Sequence, residues 1–178
     1  MRAIPVLDPA WFSEAERSAV RLDGDCVPLG LTDVSVGAPV GPVERAASLA
    51  PATTRHDLVV ELVTAAWVHG AAPELPRRLT LALDVGRRSR TNHLSPAPRE
   101  ARFRCGDVVR LGGVLVTTPL KTAFDLLRLV PGPEVEVVAA TLLRGDDLTP
   151  TVAAALAQLH LPCPNKQRGI ARLADLRP

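Results

Sequence analysis

Aromatic residues are nearly missing from this chain: three Phe, two Trp and no Tyr in 178 residues. A surface that stacks nucleobases on aromatic rings therefore has little material to work with. The core must come from Leu, Val and Ala. Lysine is as scarce, because Lys121 and Lys166 are the two lysines among 21 basic residues. Cysteine appears three times, at Cys26, Cys105 and Cys163, with no metal-ligand spacing and no secreted disulfide framework. No apolar run approaches the ~18 residues of a membrane span, and the N-terminal MRAIPVLDPAWFSEAE has no signal-peptide h-region. The expectation is a cytoplasmic protein without a membrane partner.

Catalytic signatures are equally thin. There is no GxGxxG, no phosphate loop ending in Lys-Ser/Thr, no GxSxG elbow and no paired-His zinc motif, so no cofactor is expected. His56, His69, His93 and His160 stand apart from one another. Asp84 ends an expected strand, as a metal-binding carboxylate of a nuclease does. A restriction-type core also needs an acid two residues before a lysine. Pro119 and Pro164 stand there instead, before Lys121 and Lys166.

What is present is an ordinary globular composition, 47% hydrophobic and 22% charged, enough for one domain or a small domain with an appendage. The net charge of +2 hides an asymmetry. Residues 1–76 carry five basic and ten acidic side chains, whereas 77–110 carry nine Arg against three acids. A basic segment beside an acidic one suits polyanion contact or self-association. An Arg-rich, Lys-poor composition is also what GC-rich coding produces, so a solvated basic face stays open as the alternative.

The clearest unit is Gly106–Val130. Val108–Leu111 and Val114–Thr117 read as strands around a Gly112-Gly113 turn. Thr118 then offers an N-cap hydroxyl and Pro119 occupies the first helical position. Leu120, Ala123, Phe124, Leu127 and Val130 make the apolar face, with Lys121, Asp125 and Arg128 on the other side. Lys121 sits in the first turn, where the helix dipole disfavours a cation. Either it pairs with Asp125 and snorkels into solvent, or it joins the helix N-terminus in an anion site.

Elsewhere the pattern predicts a helix over Asp8–Asp23 with Asp8 as cap and Trp11, Phe12, Ala15, Ala19 and Leu22 as its apolar side. Strands are expected at Cys26–Leu29 and Leu31–Val36, and a second helix from Gly41-Pro42 to about Leu49. Leu58–His69 reads as a buried helix with a strand-like start, Leu79–Val85 as a strand, Gly86–Arg99 as a mobile basic loop, and Arg102–Cys105 as a strand. Helices over Pro133–Leu143, from Thr149-Pro150 to about Leu159, and over Asn165–Leu176 complete the chain. The fold class is α+β: a small antiparallel sheet with a central Gly-Gly hairpin leading into a helical C-terminal third.

Thr64–Ala71 (TAAWVHGA), the strand Leu79–Val85 with its following arginines, and Val108–Arg128 (VVRLGGVLVTTPLKTAFDLLR) resemble the C-terminal domain of AbiEi-type antitoxins of type IV toxin–antitoxin systems. The resemblance covers roughly Val43 to the C-terminus. It implies a division into a reduced winged-helix-like segment, 1–42, and an AbiEi-like α/β domain, 43–178. It also implies a non-catalytic transcriptional regulator that binds operator DNA and counters a nucleotidyltransferase-type toxin. Before Cys26 there is room for one helix, where a winged helix-turn-helix needs about three. Any DNA contact is therefore expected from Arg87, Arg88, Arg90, Arg102, Arg104 and Arg110, with Lys121, Lys166, Arg168 and Arg172 behind them. The alternatives are a protein–protein module, with a toxin or a second copy as partner, and a cryptic nuclease using Asp84.

Overall fold

A computed structural model of the chain describes residues 6–7, 11–54, 57–87, 98–159 and 162–176. The chain is α+β. Strand β1 (Val6–Leu7), helix α1 (Glu14–Leu22), β2 (Cys26–Leu29) and β3 (Thr32–Ser35) come first, the strands forming an antiparallel sheet in the order β1-β3-β2. Helix α1 is capped by Ser13 and begins later than expected; Asp8, the expected cap, lies outside the described residues. Ser13 and Glu16 form a reciprocal capping box, in which the Ser13 amide donates to Glu16 Oε2 at 2.8 Å and the Glu16 amide to Ser13 Oγ at 3.3 Å. The box satisfies two backbone donors at the start of the helix.

The expected apolar side of this helix does not form either. None of its residues is buried, and Leu22 is 88% exposed. Trp11 and Phe12 precede the helix and are exposed. What docks α1 is charge: Arg17 and Arg21 reach the fully buried carboxylate of Asp33 on β3, at 3.3 and 3.1 Å.

The rest of the chain comprises α2 (Pro42–Ala47), β4 (Leu58–Val60), α3 (Leu62–Val68), β5 (Leu81–Asp84), β6 (Arg99–Ala101), β7 (Val108–Leu111), β8 (Val114–Thr117), α4 (Pro119–Leu129), α5 (Glu134–Gly145), α6 (Pro150–Ala157) and α7 (Lys166–Ala174). The second sheet runs β6-β5-β4-β8-β7. It is mixed, not antiparallel throughout as expected, since β4 pairs parallel with β8 and β5 with β6. Every residue of β4 and β8 is buried, as suits parallel neighbours at a sheet centre.

Leu58–His69 has the strand-like start and the buried helix expected of it, β4 giving way to α3 at Glu61, and Leu62 at the start of α3 has φ of 50°. Two local readings need correction. Arg102–Cys105 is not a strand, because Asp107 folds that stretch into a turn, accepting from the Arg104 amide at 2.9 Å. The strand lies three residues earlier. Thr118 keeps cap geometry but its hydroxyl points elsewhere, donating to the Gly106 carbonyl at 3.3 Å.

The hairpin itself is as read, with Gly112 and Gly113 both at positive φ. Helix α4 is the hub. It is buried continuously from Lys121 to Arg128, packed against α3, α5 and α7, with Phe124, Leu126 and Leu127 inside the main apolar cluster. Helix α7 approaches α4 at Gly169, where a Cβ would stand 2.9 Å from both Phe124 Cε2 and Arg128 Cβ.

Candidate functional site

The face of α4 that the sequence marks as polar is not turned to water. Lys121, Asp125 and Arg128 are 6%, 0% and 3% exposed. Spacing of three and four residues brings all three together. Asp125 Oδ1 accepts from Lys121 Nζ and from Arg128 Nε, both at 2.8 Å. Lys121 therefore makes the expected intrahelical pair, but inside the protein and without snorkelling. Both cations also lie over the Phe124 ring, 5.3 and 5.8 Å from its centre.

Two residues from the sheet enter the cluster. Glu61, at the end of β4, binds the guanidinium of Arg99 on β6 through both carboxylate oxygens. Hydrogen bonding to Glu61 raises the Arg99 pKa above its ordinary value, against the opposing effect of burial. Arg99 Nη2 is also 3.8 Å from Asp125 Oδ2, an oxygen that is buried without a hydrogen bond. Glu61 is held in turn by Thr80, whose hydroxyl donates to the Glu61 carbonyl at 2.5 Å. That contact sits beside Leu62, whose left-handed backbone costs about 1–3 kcal/mol for a residue other than glycine.

A cavity of about 300 Å³ opens beside this cluster, between β6, the start of α4 and the segment that leads into α7. Its walls carry Arg99, Arg102, Lys121 and Arg128, the acids Glu100 and Asp107, and Cys163 between Pro162 and Pro164. Arg128 Nη1 donates to the Pro164 carbonyl at 3.1 Å, tying that wall to α4.

The ten basic residues singled out from the sequence do not act as one group. Arg88 and Arg90 lie outside the described residues, and Arg87 ends a short 3₁₀ turn after β5. Arg102, Arg104, Arg110 and Arg168 are exposed, and Arg110 Nη1 donates to the Gly113 carbonyl at 2.6 Å. Lys121 is buried in the cluster. Lys166 Nζ donates to the Gln158 carbonyl at 2.7 Å. Arg172 is spent on the end of α4, donating to the carbonyls of Leu127, Val130 and Gly132 and to Glu136.

Asp84 accepts from the Gly86 amide at 3.0 Å, a turn contact. Among the described residues no group of three or more His, Cys, Asp or Glu could hold a metal ion, and no helix is long and apolar enough to cross a membrane. Sequence reading missed Glu61, Arg99, Arg128 and Cys163 as a constellation. Their separations along the chain, 38 residues between Glu61 and Arg99 and 36 between Arg128 and Pro164, leave no local pattern to find. No family model, no curated protein and no solved structure matches the chain.

Proposed function

We propose that this protein acts by binding, as an AbiEi-like antitoxin or regulator, and that its exposed arginines contact the phosphates of DNA. The supporting observation is the state of Arg102, Arg104 and Arg110: all three are exposed and, among the described residues, none forms an ion pair with a carboxylate. They lie on β7 and on the stretch joining the two edge strands, β6 and β7, of the second sheet. Lys121 and Arg172 drop out of this face, because each is already engaged inside the fold. The test is a fluorescence-anisotropy titration against DNA from upstream of the coding region at two salt concentrations. Affinity falls steeply with salt, and replacing the three arginines by alanine lowers the slope by about one unit for each phosphate no longer neutralised. Absence of binding, or binding indifferent to salt, removes the reading.

A second reading, a protein–protein module for a toxin or a second copy, draws on the N-terminal unit. Trp11, Leu22 and Val36 there are 83%, 88% and 57% exposed, a large apolar display for so short a stretch. Light scattering and a pull-down with a neighbouring nucleotidyltransferase separate the two readings.

A further inference from the structure

We propose that the cavity beside α4 is a binding site for a small oxyanion of the phosphate class, either free or carried by a nucleotide. It does not depend on the DNA reading, which concerns exposed arginines and a polymer.

Charge count and donor count both point this way. Arg99, Lys121 and Arg128 share two carboxylates, Glu61 and Asp125, so the cluster holds one positive charge more than it neutralises. Neither of those carboxylates walls the cavity, whereas all three cations do. Arg102 adds a further guanidinium at the rim, exposed and without an ion pair among the described residues. The walls also carry two acids, exposed Glu100 and buried Asp107, which accepts from the Arg104 amide, so four basic side chains line the cavity against two acidic ones.

Donors remain to be used. An ammonium has three N–H groups, and Lys121 directs one to Asp125. Arg128 directs Nε to Asp125 and Nη1 to Pro164, and Arg99 directs Nε and Nη2 to Glu61, so each guanidinium keeps a further nitrogen. Guanidinium forks match the tetrahedral oxygens of a phosphate, and a partly enclosed site raises the strength of such charge-assisted bonds. The Phe124 ring and the Asp125 anchor fix Lys121 and Arg128 before any ligand arrives, which lowers the ordering cost of binding. A volume of about 300 Å³ is at the lower end of ligand pockets, suited to a phosphate or a small phosphate ester.

Cys163 supplies the probe, since it is one of the residues lining the cavity, whereas Cys105 is exposed and is not among them. The full-length protein is alkylated with iodoacetamide, in inorganic phosphate, in adenosine monophosphate or in chloride of matched ionic strength, and each cysteine is followed by mass spectrometry. At a phosphate concentration ten times the dissociation constant, Cys163 is modified about tenfold more slowly, while Cys105 is unchanged. Protection by inorganic phosphate marks a free anion as sufficient; protection by the nucleotide alone marks the ester. Both support the site. Arg102→Ala, an exposed substitution that leaves the fold intact, weakens the protection, and Arg102→Lys restores part of it. Equal Cys163 rates in phosphate, nucleotide and chloride overturn the proposal. So does equal protection of Cys105, or full protection retained in Arg102→Ala.

Discussion

Lys121 Nζ lies 2.8 Å from Asp125 Oδ1 one turn along α4, and both side chains are buried. The pair is asymmetric in consequence. Removing Asp125 leaves Arg99, Lys121 and Arg128 with Glu61 as their one carboxylate. Removing Lys121 leaves two arginines with two acids. Breaking a buried ion network by deleting its shared partner costs about 3–5 kcal/mol, whereas an apolar replacement that leaves charges balanced is often near neutral. Asp125→Ala is therefore expected to unfold at much lower urea than Lys121→Met. Equal midpoint shifts for the two variants would overturn this account of the cluster.

The same helix explains how far the sequence could be read. Its limits, its Pro119 start and its apolar face follow from local spacing, and so does the Lys121–Asp125 contact. Burial of the charged face does not follow, because the covering groups come from elsewhere: Arg99 from an edge strand, Pro164 from the approach to α7 and Gly169 from α7 itself. Periodicity assigns charges to water unless a distant partner is known. The N-terminal helix failed differently. Asp8-Pro9 and Ser13-x-x-Glu16 are both start signals, and nothing local ranks them until the reciprocal hydrogen bonds are seen. The exposed arginines were legible as a basic segment, but not the cavity, which four separated stretches of chain wall together.

At the hairpin turn, Gly112 and Gly113 are expected to respond differently to alanine. Both have positive φ, 52° and 87°, so each substitution is strained by about 1 kcal/mol. Gly112 has a second constraint. A Cβ there would lie 2.5 Å from the Val43 carbonyl oxygen and 2.9 Å from the Ala47 amide nitrogen, both backbone atoms of the α2 region. Around Gly113 there is open space. Gly112→Ala should lower stability well beyond Gly113→Ala in chemical denaturation; the reverse order would mean that α2 does not rest on the turn.

Arg172 offers a test that separates fold from binding. Its guanidinium satisfies the carbonyls of Leu127 at 2.7 Å, in the last turn of α4, and of Val130 at 3.2 Å and Gly132 at 3.3 Å, in the segment that leaves it. Loss of a charged donor from such groups costs about 1–3 kcal/mol. Arg172→Ala should shift the urea midpoint by that amount and leave the salt dependence of any DNA binding unaltered. Arg172→Lys should recover little, because one ammonium does not reproduce the planar fork. A variant with wild-type stability and a shallower salt slope would return Arg172 to the nucleic-acid face.

His69 sets an acid limit on stability. It closes α3, and its Nε2–H donates to the Thr117 carbonyl at 2.7 Å, joining that helix to the end of β8. A carbonyl can only accept, so the tautomer with the proton on Nε2 is fixed by its partner. Burial lowers the pKa of this imidazole below 6.5, with the Thr117 hydrogen bond and Asp146 acting in the opposite direction. The unfolded chain, with its ordinary histidine, therefore binds the proton more readily than the folded one. Stability contributed by neutral His69 is present above pH 6.5, declines as pH falls below it and is lost as pH drops through the lower folded value. Urea titrations from pH 7.5 downward should show this decline starting near pH 6.5 in the wild-type protein. His69→Gln keeps an N–H donor without a titrating group, so its stability should fall less over the same interval. Parallel curves for the two proteins would assign the acid sensitivity to other groups.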